Sequence, residues 1–401
     1  MSPTAPRASR ASQLSAPRLT AMTRRPWCLR KKRPKSSTSC HRRRSKLCHQ
    51  HPTRPVALDN VTRLHGRNPS YARVQIIGGR VFLVPSGFPA AHRGRQFHDY
   101  MRLYFGVLRE VAATHGTPDV DFVLNPTDQT PPWPAFNQHG SHHGQWPVEG
   151  DVTGVGPFLI PSPEEPWQAE PSARVSSAAW QGRRGVAAWR GSNTGFARTS
   201  LASWSGNMRA RLTVLSRMYP ETLDAAITSW PQPHAGVNLS VLTRFLRGAP
   251  RTPPDYLRRY KYALEVDGNV QSNRFRWVAS RDALVLRATR FVSAYDASLH
   301  KLPHVLPIQP DLSDLVSTVR CLQRHDGAAL RALREGMRAA GELLSYESVR
   351  AYWADLLEHY ASLQTFTPRL HPSAIPASRY LGWCGAWCER GSALGFTRGI
   401  G

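Results

Sequence analysis

Three short runs in this 401-residue chain place ionic and hydroxyl side chains just past strand-like apolar stretches. They are Asp128 after "DVDFVLNP", Ser192 and Arg198 in "WRGSNTGFAR", and Ser272 and Arg274 in "YKYALEVDGNVQSNRFRW". A carboxylate projecting from a rigid strand end can take a proton from a hydroxyl group. A glycine-containing loop that runs into a helix turns backbone N–H groups toward phosphate oxygens, and arginine adds a permanently charged fork for the same oxygens. Two such loops suit a pyrophosphate. Singly each run is a weak signal, since an arginine past a strand is more often a surface ion pair. Asp267, which precedes Gly268, reads equally as an acceptor for ribose hydroxyls and as ordinary tight-turn chemistry. "HGSHHG", with His139, His142 and His143, has the residue types of a metal site, but histidines in a loop more often bind nothing. Cys384 and Cys388 form half a zinc-type site with no partner pair after them, which favours a structural role.

The elements that must position these residues alternate. "RVQIIGGRVFLVP" predicts a hairpin about Gly78 and Gly79, and Tyr100, Leu103, Val107 and Val111 fall at helical spacing. A strand over 120–124 stops at Asn125-Pro126, because proline cannot extend a ladder. "GVAAWRG" predicts a strand ending at Trp189, with a helix from about Asn207. "LDAAITSW", "YKYALEVDG", "DALVLRA" and "PHVLPI" are further strands. Such alternation predicts an α/β fold with an open, mostly parallel sheet, which binds ligands beyond the C-terminal ends of its strands. Towards the C-terminus the pattern is helical: Asp326 is placed to cap a helix striped by Leu330, Leu333, Met337, Ala340 and Leu344, and Val349, Trp353, Leu356 and Tyr360 stripe the last one.

The formal charge of +26 would suggest a nucleic-acid or acidic-membrane partner if it were spread evenly. It is concentrated in residues 1–70, where 17 Lys and Arg face one acid, Asp59. That segment is expected to lack order and to be a solvated tail, with a nucleic-acid arm or a targeting signal as the alternative. No run has the apolar core of a signal peptide or the ~18 apolar residues of a membrane span. Of six Cys, only Cys321 lies between residues 70 and 370, so the core is not expected to rest on disulfides.

From residue 119 to 364 the chain resembles glycosyltransferase family 90, the Rumi-like protein O-glucosyltransferases and the capsule-associated xylosyltransferase-like proteins. The matching blocks are "DVDFVLNPTD", "WRGSNTGFAR", "RARLTVLSRMYPETLDAAITSW", "YKYALEVDGNVQSNRFRW", "LHKLPHVLPIQPDLSDL" and "YESVRAYWADLLEHYASLQ". The resemblance implies a GT-B-like fold of two Rossmann-like lobes about a cleft, and inverting transfer of glucose or xylose from a UDP-sugar to a hydroxyl of a protein or glycan. It makes Asp128 the catalytic base, Ser192 and Arg198 donor-binding residues, and Arg274 the grip on the diphosphate. Ser272 adds a hydroxyl, Asp267 is a ribose candidate, and "IPSPEEPW" resembles a cleft-lining segment in which Trp167 would stack on a sugar. No clear nucleotide-sugar DxD motif is present, so no metal and no cofactor beyond the donor is expected. The implied compartment is the lumen of the endoplasmic reticulum or Golgi, and the Asn238-Leu239-Ser240 sequon matters only there. The division expected is a basic segment 1–70, an acceptor-side lobe 71–180, a nucleotide-sugar lobe 181–370 with closing helices, and an irregular tail 371–401. Two other readings are a nucleic-acid-binding protein acting through its basic arm and a family member that binds without turnover.

Overall fold

The computed structural model describes residues 26–29, 52–87, 95–128, 132–138, 140–141, 157–162, 176–195, 200–233 and 236–380. The expectations for Arg198, for His139, His142 and His143, for Trp167 and for Cys384 and Cys388 concern residues outside this set. In the first half the elements are α1 (Leu58–His65), β1 (Ala72–Ile77), β2 (Arg80–Val84), α2 (Arg95–Thr114), β3 (Val120–Asn125), β4 (Phe136–Asn137), β5 (Gly140–Ser141) and β6 (Phe158–Leu159). The second half begins with α3 (Ser177–Gln181), β7 (Arg184–Ser192), α4 (Met208–Met218), β8 (Leu223–Ser229), α5 (Leu239–Phe245), β9 (Tyr260–Val266) and α6 (Phe275–Ala279). It continues through β10 (Leu284–Ala288), β11 (Phe291–Val292), β12 (Val305–Ile308), α7 (Leu315–Arg324), α8 (Asp326–Leu343), α9 (Tyr346–Leu363) and β13 (Ile375–Pro376).

These strands form two main sheets. The second is parallel throughout, in the order β12-β10-β9-β7-β8, as alternating strands and helices require. The first, in the order β13-β2-β1-β3-β4-β6, corrects the expectation of a single mostly parallel sheet. Its β1 runs antiparallel to both β2 and β3, and only β4 and β6 continue in parallel. The hairpin is set by Gly78 and Gly79, whose φ of +53° and +70° lie in the left-handed region that matches a tight turn to strand twist. β5 pairs with β11, Phe291 opposite Ser141, and so ties the two halves together.

The stripe on α9 (Val349, Trp353, Leu356, Tyr360) is core, as its spacing indicates, but it packs into the core of the first sheet. There the Trp353 ring lies parallel to Phe136 at 6.1 Å, and Tyr360 meets the same ring edge-on at 5.0 Å. β13 joins the same sheet beside β2. Within the basic first segment, residues 58–65 form a helix whose Val61 and Leu64 are buried in that core, because these two carry its only apolar face of any depth. Cys28 is disulfide-bonded to Cys321 on α7 with Cα atoms 6.1 Å apart, which corrects the expectation that no disulfide reaches the core. Asp326 does not cap α8 with its side chain; its carboxylate accepts from the Trp180 indole N–H and the Lys261 ammonium instead. Among the described residues, no helix is long and apolar enough to cross a membrane.

Candidate active site

Asp128 is placed by the way β3 ends. Pro126 cannot continue the ladder, and the buried Asn125 carbonyl oxygen Oδ1 accepts from both the N–H and the hydroxyl of Thr127, at 3.0 and 2.9 Å. This turn carries Asp128 to the second half of the molecule, where its Oδ2 accepts from Asn269 Nδ2 at 3.2 Å. Asn269 belongs to the turn after β9 that also carries Asp267, Ser272 and Arg274. The same turn is held from the first half a second time, by Asn273 Nδ2 donating to the Tyr100 hydroxyl on α2 at 2.8 Å.

Ser192 ends β7, and its surroundings are organised by a residue the sequence reading did not single out. Arg209, in the first turn of α4, is buried; its Nη1 donates to Thr194 Oγ1 at 2.7 Å, to Ser192 Oγ at 3.0 Å and to the Ser192 carbonyl at 3.2 Å. Its Nε donates to the Asp267 carbonyl at 3.0 Å, and its guanidinium lies 5.5 Å above the Trp189 ring. One side chain thus bolts the end of β7 to the end of β9. Burial, and then the neighbouring Arg274 charge, pull the Arg209 pKa down to about 10. Gly268 makes room for it: a Cβ there would stand 2.9 Å from Arg209 Nη2 and 3.0 Å from Thr194 Oγ1. The loop returns to α4 through Asn207, whose Oδ1 caps the helix on the Ala210 N–H while its Nδ2 holds the Asn193 carbonyl.

Arg274 precedes α6 and is buried; its Nη1 donates to the Arg190 carbonyl at 2.9 Å, two residues before Ser192. Ser272 Oγ accepts the Arg274 backbone N–H at 3.4 Å, so its hydroxyl lies within the turn. The loops after β3, β7 and β9 therefore converge, and they bring together Asp128, Ser192, Ser272 and Arg274. Asp267 behaves differently. It is 5 % exposed and its Oδ2 accepts the Arg290 N–H at 2.8 Å, which spends that oxygen on the corner after β10. Burial pushes its carboxyl up to about 6, against the opposing pull of Thr289, Arg290 and Arg287. The chain's single Asp-x-Asp spelling is also structural: Asp121 is clamped by Arg73 and Gln75, and Asp119 Oδ1 accepts the Gly78 N–H.

Arg209 had a signal in the sequence. A helix N-terminus disfavours cations, so an arginine in the first turn after an Asn cap is there for another reason. Thr194 and Asn269 carried none beyond their proximity to the motifs.

The model of glycosyl transferase family 90 matches residues 166–379, more than half of the chain. This chain belongs to glycosyl transferase family 90. The match takes in Ser192, Arg209, Asp267, Ser272 and Arg274, while Asp128 lies before it. Protein O-glucosyltransferase 3 of Rattus norvegicus is 29% identical over 166 residues, which are 40% of this chain and 31% of that protein. Protein O-glucosyltransferase 2 of Danio rerio is 24% identical over 267 residues, 63% of this chain and 49% of its own length. A protein of Frog virus 3 (isolate Goorha), Uncharacterized protein 027R, is 27% identical over 200 residues, 45% of this chain and 20% of its own. The chain thus spans about a third of the length of the rat relative. The family match covers the β7 and β9 loops, and the β3 loop with Asp128 lies before it.

Proposed function

We propose that this chain is an inverting, metal-independent glycosyltransferase that moves glucose or xylose from a UDP-sugar to a hydroxyl of a protein or glycan, in a GT-B cleft between its two sheets. The observation that carries the reading is the contact of Asp128 with Asn269, since it sets a carboxylate from one half against the turn that bears Arg274 in the other. Family membership and the likeness to proteins named O-glucosyltransferase support the reaction class.

In this reading the acceptor hydroxyl attacks the anomeric carbon from the face opposite the leaving group. Its proton passes to Asp128 as the new C–O bond forms, and the bond from the anomeric carbon to the UDP oxygen breaks with its electron pair going to the diphosphate. Arg274 lies buried and oriented by the Arg190 carbonyl, so it meets the growing negative charge with no reorganisation. Arg209, Ser192 and Thr194 fix the β7 end against the same turn.

The test is UDP release by the full chain offered a panel of UDP-sugars, with and without a chelator, beside Asp128→Asn. Release that survives the chelator and drops by about 10²–10⁴-fold in the variant, with donor binding retained, is expected. Release that needs a divalent ion, or that Asp128→Asn leaves intact, overturns the mechanism.

A further inference from the structure

Arg209 and Arg274 are both buried, and burial, followed by the nearby Arg274 charge, lowers the Arg209 pKa. Two guanidiniums out of water need a counter-charge nearby. Arg287, the third arginine of the group, already has one in Asp296 Oδ1 at 3.0 Å, with Gln271 and Ser293 completing its partners. Among the described residues Arg209 donates only to neutral oxygens, and it forms no ion pair. Of the carboxylates acting on Arg209, which are Glu265, Asp267 and Asp128 in falling order, the first is Glu265, next to last in the buried run of β9.

Glu265 is 3 % exposed, and among the described residues neither of its oxygens has a hydrogen-bond partner. A glutamate in a fully buried parallel strand, without such partners, is costly unless charge holds it there. Among the described residues its one ion pair is with Arg274, Oε2 to Nη2 at 4.0 Å. Arg287 stands opposite it on β10 in register.

We propose that Glu265 is a positioning residue: it is the shared buried counter-ion that keeps the Arg209 and Arg274 guanidiniums converged on one side of the β7 and β9 ends, ready for a diphosphate. This rests on the UDP-sugar reading above. The groups facing Glu265 are Arg274, Arg287 and Arg209 with Ser272, the last near enough to act electrostatically though not in hydrogen-bond geometry with either oxygen. Burial pushes the Glu265 carboxyl up, and Arg274, Ser272, Arg287 and Arg209 pull it back, so the carboxylate depends on the arginines as they depend on it. Without its charge the two guanidiniums repel one another, and the donor must reassemble the pair when it binds.

The experiment is calorimetric titration with UDP-glucose and thermal melting on the full chain, for wild type, Glu265→Gln, Arg274→Gln and the double variant. Glu265→Gln is expected to weaken UDP-glucose binding by about tenfold, the scale of one charge-assisted hydrogen bond. The double variant is expected to bind no more weakly than Arg274→Gln alone, since both changes break one unit. It is also expected to melt above Glu265→Gln, because removing Arg274 restores the charge balance. That rescue holds even where Glu265→Gln folds too poorly to titrate, and a bystander in the core would not produce it. Wild-type affinity in a folded Glu265→Gln, additive losses in the double variant, or a double variant that melts no higher than the single, overturns the inference alone. A wild type that binds no UDP-sugar overturns the donor reading, and this inference with it.

Discussion

Asp267 offers a test of the site's electrostatics that needs no substrate. Its carboxyl is 5 % exposed, and burial raises its pKa from an ordinary 3.8 to about 6. The native state then holds this proton more tightly than the unfolded chain does. The associated stability is complete below the unfolded value and is lost as pH rises through the folded one, that is between about 4 and 6. A rise of this size corresponds to about 3 kcal/mol. Asp267→Asn keeps an oxygen to accept the Arg290 N–H and removes the buried charge, so it is expected to escape that loss. The competing term is the attraction of Arg287 and Arg290, which the substitution also removes, but that attraction is already included in the raised value. Chemical denaturation of wild type and Asp267→Asn from pH 4 to pH 7 isolates the group, because carboxyls with lowered pKa such as Asp224 titrate equally in both. The variant is expected to gain on the wild type through this window and to be more stable by about 3 kcal/mol at neutral pH. A difference that stays flat, or a variant less stable at neutral pH than at acid pH relative to wild type, would show that the arginines dominate and that the burial argument is wrong.

Two further outcomes follow from close contacts. Gly268→Ala puts a methyl group 2.9 Å from Arg209 Nη2 and 3.0 Å from Thr194 Oγ1, both pinned by hydrogen bonds. Overpacking of about 1–3 kcal/mol is expected, with weakened UDP-sugar binding because Arg209 and Thr194 must move, and titration with melting checks both. Cys28→Ser opens the link to Cys321 and is expected to cost about 2–5 kcal/mol in a denaturant melt, with peptide mapping of the unreduced wild type recovering the joined pair.

Much of the site was legible because strand ends leave a local signature. Asn125-Pro126 stops β3 and Gly78-Gly79 turns the hairpin, each through backbone rules that operate within a few residues. The position of Asp128 follows from the first of those stops. What could not be read is whatever depends on pairing across the sheet. β7 runs to Ser192 and not to Trp189, because pairing with β8 carries it through the glycine at 191. The stripe on α9 announces a buried face and says nothing of which core receives it. Asp267-Gly268 was ambiguous as a dipeptide; only the Arg290 N–H, brought near by β10, decides that the carboxylate faces inward.

The return of α9 to the first core sets the order in which the molecule can be finished as it is made. β7 to β12, with α7 and α8, have all their core partners, the earlier Cys28 segment included, once residue 344 or so has left the ribosome. The earlier sheet, translated first, lacks Trp353, Leu357 and Tyr360 until residues 353–360 have been added. Domains that fold from the N-terminus as they emerge complete themselves early. Here the first sheet waits with its apolar face uncovered while the whole of the second sheet is added, and α9 closes the half that began first.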